Sequence, residues 1–290
     1  MRTLSTLGCG SVSTYTSMQL LHHLRRIPTK LYNPETTLYQ SRIIANGGSI
    51  SANSLDSIEK FVQDCKNANI WTKLLEVGVF AGTTLNAALV KLVVGSGAPT
   101  VLTNINFVTG DYVETGVSGG LAGDGATKYL NTGFAGTNLP DAGHLSCYLA
   151  EDIGASGNRA MLGVLAPLDQ YWLGSLAPAT SADFRYGQTV GTAQPFGLLK
   201  GFYTGVRASS TSLRLFRNGG LVDANTTATS ITKTSQPIYT HAYNSAGIAG
   251  GWLGGRISFY SIGQSFTDAE VLTLHYAVRT LQYNLNRGVN

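Results

Sequence analysis

Carboxylates, imidazoles and accessible aromatic rings carry most surface chemistry, and they are thinly spread along this chain. Glycoside hydrolysis needs two carboxyl groups about 5–10 Å apart across a cleft. Glu114, Glu151 and Glu270 are scattered. Glu151 and Asp152 are adjacent, so on a strand they would point to opposite faces. No catalytic pair is expected. The five histidines are His22, His23, His144, His241 and His275, and none sits in a nucleophile context such as G-x-S-x-G. His22 and His23 on a helix would diverge by about 100° and chelate poorly. Residues 123–128 read GDGATK. They lack the G-x-x-x-x-G-K-[ST] spacing of a phosphate loop and lead into a strand, which makes them a tight turn.

Recognition without bond-making needs less. A sugar offers an apolar C–H face to an aromatic ring and hydroxyls to planar amides, guanidinium groups or carboxylates. DQYWLG (169–174) places Tyr171 and Trp172 side by side, and on a strand the two rings would face opposite ways. One of them is expected at the surface. GGWLGG (250–255) sets Trp252 between glycines, where a large ring either plugs the end of a core or stands as an exposed platform. Asp169, Arg185 and Asn244 are the polar partners for such a ligand. The candidate ligand-binding set is therefore Trp172, Trp252, Asp169, Arg185 and Asn244.

The elements that must position these residues follow from composition and period. The chain has 290 residues, 43% hydrophobic and 12% charged, with 35 glycines. The charged share is about half the usual quarter, which suits a turn-rich β protein with a polar, uncharged surface. The net charge of +4 is diffuse, with Arg25, Arg26 and Lys30 as its one cluster. A nucleic-acid reader would show a denser basic stripe, so no nucleic-acid partner is expected. Cys9, Cys65 and Cys147 match no metal or redox spacing and are expected as free thiols. The segment before Cys9 is too short and polar for a signal-peptide core. No run approaches the ~18 apolar residues of a membrane span, so membrane insertion is not expected.

Residues 1–45 read as an extended arm, with a short helical stripe of Leu20, Leu24 and Ile27 ended by Pro28 and Pro34. Residues 46–97 read as a helical leader. Ser51 or Asn53 caps a helix carrying Leu55, Ile58, Val62 and Cys65. Leu85, Leu89 and Leu92 mark a second helix, and Trp71, Leu74 and Leu75 are core. From 98 to 266 short strands alternate with turns, as in a sandwich or barrel. Candidates are 128–134, 144–150, 159–165, 171–176, 184–189, 202–208, 213–217, 238–243 and 256–262. Asn218-Gly219 is the strongest turn, because a type I′ turn needs two positive φ angles. In the last strand Ile257, Phe259 and Ser261 share a face. Residues 267–290 form a final helix, with Thr267 and Glu270 as a capping box. Its stripe of Val271, Leu274, Val278, Leu281 and Leu285 lies across the sandwich or the N-terminal helices, or else forms a three-fold seam.

Three of these segments carry a family resemblance. GRISFYSIGQSFTDAEV (255–271) resembles the end of concanavalin A-like, laminin-G-like jelly-roll domains, where a strand turns into a capped helix. SLRLFRNGGLV (212–222) is similar to the strand–Asn-Gly–strand hairpin of that family. GGLAGDGATKYLNTGF (119–134) resembles its entry strands. The helical leader is similar to segments that precede such domains in phage structural proteins. The resemblance implies a mainly β fold: a concanavalin A-like jelly-roll sandwich with an N-terminal helical and extended anchoring region and a C-terminal helix. It implies a bacteriophage virion protein of tail, fibre, spike or capsid surface. Such a protein would be held to other virion proteins by its N-terminal arm, homo-oligomeric (a trimer in the seam arrangement), and would display the sandwich to host-surface glycans. Glucanases of this fold carry E-x-D-x-x-E on one strand, a pattern absent here, so no enzyme is expected. Relatives often hold Ca²⁺ at a sheet rim. Asp124, Asn131 and Asp169 are the candidate ligands, although no cofactor is otherwise required. Two other outcomes are a purely architectural decoration protein without ligand and a glycan depolymerase.

Overall fold

The computed structural model describes residues 30–153, 157–165, 170–176, 181–189, 191–193, 197–227 and 230–288. The chain divides into two units, 1–32 and 33–290. In the first, only residues 30–32 are described, where the Lys30 ammonium lies 5.5 Å from the Tyr32 ring centre. The expected arm helix around Leu20, Leu24 and Ile27 falls outside the described residues, as do Cys9, His22, His23 and Asp169.

The second unit is a jelly-roll-like β-sandwich with helices on one side. In spatial order the first sheet runs β14 (Gly220–Asn225), β13 (Ser212–Arg217), β12 (Gly201–Ser209), β7 (Gly143–Leu149), β18 (Arg256–Gln264), β1 (Leu74–Gly78) and β2 (Lys91–Val93). β5 (Gly120–Ala122) joins β18 and carries β4 (Tyr112–Val113). The second sheet runs β11 (Thr192–Ala193), β10 (Ser181–Tyr186), β9 (Gln170–Leu176), β8 (Arg159–Leu165), β15 (Pro237–Thr240), β6 (Tyr129–Ala135) and β3 (Thr103–Ile105). The hairpin β16 (Tyr243–Ser245)–β17 (Ile248–Gly250) attaches to β8. The 46–97 segment, expected to be helical, thus also supplies β1 and β2. Helical spacing at Leu85 and Leu89 breaks down at Leu92 because Lys91–Val93 pairs with β1.

The helices are α1 (Pro34–Ala45), α2 (Ala52–Asn67), the single turn α3 (Leu85–Ala88) and α4 (Asp268–Asn284). Pro34, expected as a breaker, instead opens α1, where its missing N–H costs nothing. The Ser51 hydroxyl accepts the Ser54 N–H at 3.0 Å and caps α2. Thr267 and Glu270 cap α4 reciprocally, as expected. The Glu270 carboxylate also meets Lys73 at 2.7 Å.

Two apolar clusters organise the unit. One fills the space between the sheets, with Leu145, Cys147, Leu162, Tyr171, Phe184, Leu215 and Tyr260 among its members. The other lies between the outer face of the first sheet and the helices. It joins Ile58, Phe61 and Val62 of α2 to Val271, Leu274, Val278 and Leu281 of α4 over Tyr148, Phe202 and Phe259. The α4 stripe is therefore spent inside the molecule, not on a seam between copies. β7, covered on both faces, is buried at all seven positions. β6, covered on one face, alternates, as its neighbours demand.

Three local features fix this frame. β18 does not keep Ile257 and Phe259 on one face: its ladder with β7 slips between them, as at a β-bulge. Ile257 then joins the inter-sheet core beside Leu149, while Phe259 turns to the helices beside Tyr148. Asn218 (φ 50°) and Gly219 (φ 79°) make the expected turn between β13 and β14. Towards the C-terminus the buried Arg287 guanidinium donates to the carbonyls of Val79, Phe80, Glu114 and Ser258, tying this segment to β18 and to the residues that follow β1 and β4.

Candidate functional site

The layering decides where a ligand can approach a sheet. Helices cover the outer face of the first sheet, and the sandwich core takes both inner faces. In the first sheet the edge strand β14 is still largely exposed, whereas the outer face of the second sheet is a broad surface on which no described helix lies. Alternation assigns its residues. Leu130, Thr132 and Phe134 of β6 point inward, so Tyr129 and Asn131 point outward. Tyr171 and Leu173 of β9 are in the core, so Gln170 and Trp172 point outward. Ala182, Phe184 and Tyr186 of β10 are in the core, which turns Asp183 and Arg185 outward.

Register aligns these residues across the sheet. Thr103 faces Asn131, Asn131 faces Tyr239, Tyr239 faces Gly163, Gly163 faces Trp172, and Trp172 faces Arg185. One row across six strands thus carries two of the expected ligand residues, Trp172 and Arg185, and one of the expected calcium ligands, Asn131. Beside the row, the Tyr129 and Tyr239 rings stack with centroids 4.7 Å apart and planes at 27°.

The platform strands are firmly held. The Thr132 hydroxyl of β6 donates to the Ile238 carbonyl of β15 at 2.7 Å. The Lys91 ammonium reaches from the first sheet to the Thr132 carbonyl at 2.6 Å. Lys91 also pairs with Glu76 at 3.0 Å, both fully buried, and Glu76 accepts the Tyr260 hydroxyl proton at 3.0 Å. Burial pushes the Glu76 carboxyl up, opposed by the Lys91 charge.

The right-hand part of the row is closed. Trp172 projects outward yet is fully buried, because the β16–β17 hairpin lies over it with Tyr243 5.6 Å from its ring. The hairpin can settle there because residue 163 is glycine. A Cβ on Gly163 would stand 2.9 Å from the Tyr243 Cβ. The expectation that one of Tyr171 and Trp172 is exposed is thus corrected: both are buried. Asn244 is also buried and serves the hairpin, its amide donating to the Pro237 carbonyl at 2.9 Å and accepting the Gly247 N–H at 2.7 Å. It holds the cover in place and presents nothing to a ligand. Trp252 stands apart from the row and is half-buried. Its carbonyl accepts from Arg159 at 3.4 Å.

Arg185 remains half-buried at the end of the row. It donates to the Asp183 carboxylate at 2.9 Å and to the Gln170 amide oxygen. Burial pushes the Asp183 carboxyl up to about 6 in spite of the Arg185 charge. Burial also raises the Tyr239 phenol, with Tyr129 adding to the shift.

The remaining carboxylates have structural work. Asp124 accepts the N–H groups of Ala126, Thr127 and Lys128 and the Thr127 hydroxyl. Against a burial cost, these bonds hold its carboxyl far below the usual range. Asn131 accepts the Gly133 N–H at 2.8 Å, leaving its NH₂ as the group that can donate outward. Both candidate calcium ligands thus make local hydrogen bonds, and the third, Asp169, lies outside the described residues. Among the described residues no group of three His, Cys, Asp or Glu side chains converges on a cation. Glu114 accepts the Gly82 N–H. His144 and His241 are fully buried and hydrogen-bonded to carbonyl oxygens, and burial brings both down to about 4.

Sequence reasoning missed Tyr129, Tyr239, Gln170 and Asp183. Tyr129-x-Asn131 in an alternating strand was a legible signal for the first. Nothing in the sequence pairs it with Tyr239, which lies more than a hundred positions away.

No protein-family model and no curated protein sequence matches the chain. Solved structures do resemble it. Domain 4 of AbnA, an extracellular GH43 arabinanase of Geobacillus stearothermophilus solved with arabinotriose, has 12% identity and a TM-score of 0.47, covering 70% of this chain and 98% of that one. The CBM40 of the Ruminococcus gnavus IT-sialidase, bound to α2,3-sialyllactose, has 12% identity and a TM-score of 0.42, covering 54% and 95%. A mutant Trypanosoma rangeli sialidase with trans-sialidase activity has 12% identity and a TM-score of 0.46, covering 81% of this chain but 40% of its own.

Proposed function

We propose that the protein is a carbohydrate-adhesion module whose ligand lies on the outer face of the second sheet. The observation that carries this reading is the Tyr129–Tyr239 stack on the sheet face without helical cover, where Tyr129 is half-buried and Tyr239 lies beneath it at 6% exposure, with the half-buried Asn131 amide beside it and the Arg185–Gln170 pair further along the row. Tyrosine supplies an apolar face and a polar tip at little conformational cost. Amide and guanidinium groups supply planar hydrogen bonds to vicinal hydroxyls. The reading includes no catalysis, because the described part of this face carries one carboxylate, Asp183, already paired with Arg185, where hydrolysis needs two. In the wider proposal the chain is a virion structural protein that attaches through its N-terminal region and displays this face to host glycans. That part rests on the C-terminal resemblance and on the division of the chain at residue 32.

A glycan array probed with the full chain tests the adhesion. Tyr129→Ala, at the half-buried ring of the stack, is expected to lower the signal of the best glycan at least fivefold with the melting temperature within a few degrees of wild type. An array with no signal above background, or an unchanged signal in the variant, overturns the reading. The complete burial of Trp172 favours a second reading, an architectural protein without ligand, and a silent array would support it.

A further inference from the structure

On the opposite side of the sandwich, among the helices, lies an open pocket of about 330 Å³ lined by Glu35, Lys66, Asn69, Trp71 and Thr72. Trp71 was expected in the core, yet it is half-buried. Its ring meets Phe61 edge-on, with centroids 6.5 Å apart at 71°. The walls are built before any ligand arrives. Lys66 holds Glu35 at 2.6 Å and the Asn33 amide oxygen at 3.0 Å, which fixes the start of α1 against the end of α2. Burial pushes the Glu35 carboxyl up, but the Lys66 bond and charge together with a backbone bond outweigh it and keep the carboxyl below its usual value. Asn69 is set by a left-handed backbone turn (φ 58°) just past α2, with its N–H on the Lys66 carbonyl and the following N–H on the Cys65 carbonyl.

We propose that this pocket is a second, separate binding site for a neutral pyranose. The indole offers a surface for the C–H face of a ring. Glu35 and Thr72 offer acceptors, and Lys66 and Asn69 offer donors, all to hydroxyls. The ion pair leaves the pocket close to electrically neutral, so a charged ligand gains no net attraction there, whereas a polyol can bond to both members. The volume lies at the lower end of small-molecule pockets, the size of one sugar residue and not of a chain. With the tyrosine platform on the other side of the sandwich, the protein would hold two glycans facing away from each other, a geometry suited to bridging.

The test is saturation-transfer NMR of the full chain with methyl glucoside, methyl galactoside and methyl mannoside. The variants are Trp71→Ala, Thr72→Lys and Tyr129→Ala. Thr72 is exposed, so its lysine fills the pocket mouth without touching the core. The expected result is that at least one sugar binds, that Trp71→Ala and Thr72→Lys each weaken it at least fivefold, and that Tyr129→Ala leaves that component in place. Binding lost in Tyr129→Ala but kept in Thr72→Lys overturns this inference and leaves the platform reading intact. The reverse pattern, which is the one expected, upholds the pocket and leaves the platform to be judged by the glycan array. No transfer from any of the three sugars overturns the pocket.

Discussion

At the residue scale, Trp172 and Tyr129 separate two meanings of an aromatic side chain. Trp172 points outward from its strand but is sealed by Tyr243, so its removal leaves a cavity. Trp172→Ala is expected to destabilise the protein by roughly 3–5 kcal/mol in chemical denaturation. Tyr129→Ala is expected to cost much less and to act on binding, whereas Tyr239→Ala, at a ring 6% exposed, costs stability as well. A ligand defect without a stability loss in Trp172→Ala would mean that the hairpin opens in solution. Asp183 gives a second test. Its folded value of about 6 stands above the ordinary 3.8, so its contribution to stability is present at acid pH and is lost as pH rises through that window. Asp183→Asn should match the wild type near pH 4 and exceed it above pH 6, by denaturation measured across the range. His144 and His241 act in the opposite sense. Their folded values of about 4 lie below the ordinary 6.5, so each contributes stability above 6.5 that is lost as pH falls towards 4. The slope approaches about 1.4 kcal/mol per pH unit for each histidine. The wild type should therefore lose stability on acidification below pH 6.5, with the two histidines outweighing Asp183.

At the element scale, the features that hold the platform are distant from it. Lys91 belongs to the first sheet but supports β6 through the Thr132 carbonyl, and its loss would leave Glu76 buried without a counter-charge. Lys91→Met is expected to cost about 3–5 kcal/mol, while Glu76→Gln/Lys91→Met, which removes both charges, should recover part of that in a thermal melt. The cap on α4 is a smaller lever: Thr267→Ala should cost about 1 kcal/mol. Capping chemistry is local, and Thr267, Glu270 and Asn218-Gly219 could be read directly from sequence. So could a strand with one buried face, such as β6. β1 and β2 could not, because a strand covered on both faces loses alternation, and Leu74, Leu75, Leu89 and Leu92 fit a helical stripe equally well. The slip in β18 was equally hidden, since a bulge is a property of the pair and not of the strand.

At the scale of the whole molecule, the helices do more than precede the sandwich. They form its third layer, and by covering the first sheet they leave the second sheet to face outward. Truncation at residue 45 would remove Tyr39 and Ile43, both fully buried, whereas the division at residue 32 marks the cut that spares the core. A protein lacking residues 1–32 is expected to melt within a few degrees of the full chain, and one lacking residues 1–45 to melt well below it. Equal losses in both would place the boundary of the stable unit before residue 33. The candidate site was half legible for a related reason. Residue types named Trp172 and Arg185, which do share one row, but only the layer arrangement shows which face is open, and only the hairpin shows that Trp172 is closed.

The most direct measurement is a crystal structure of the full chain with the glycan that ranks first on the array. A sugar ring is expected against Tyr129 and Tyr239, with hydroxyls within hydrogen-bond distance of the Asn131 amide. A glycan bound elsewhere, with the tyrosine face empty, would contradict that expectation.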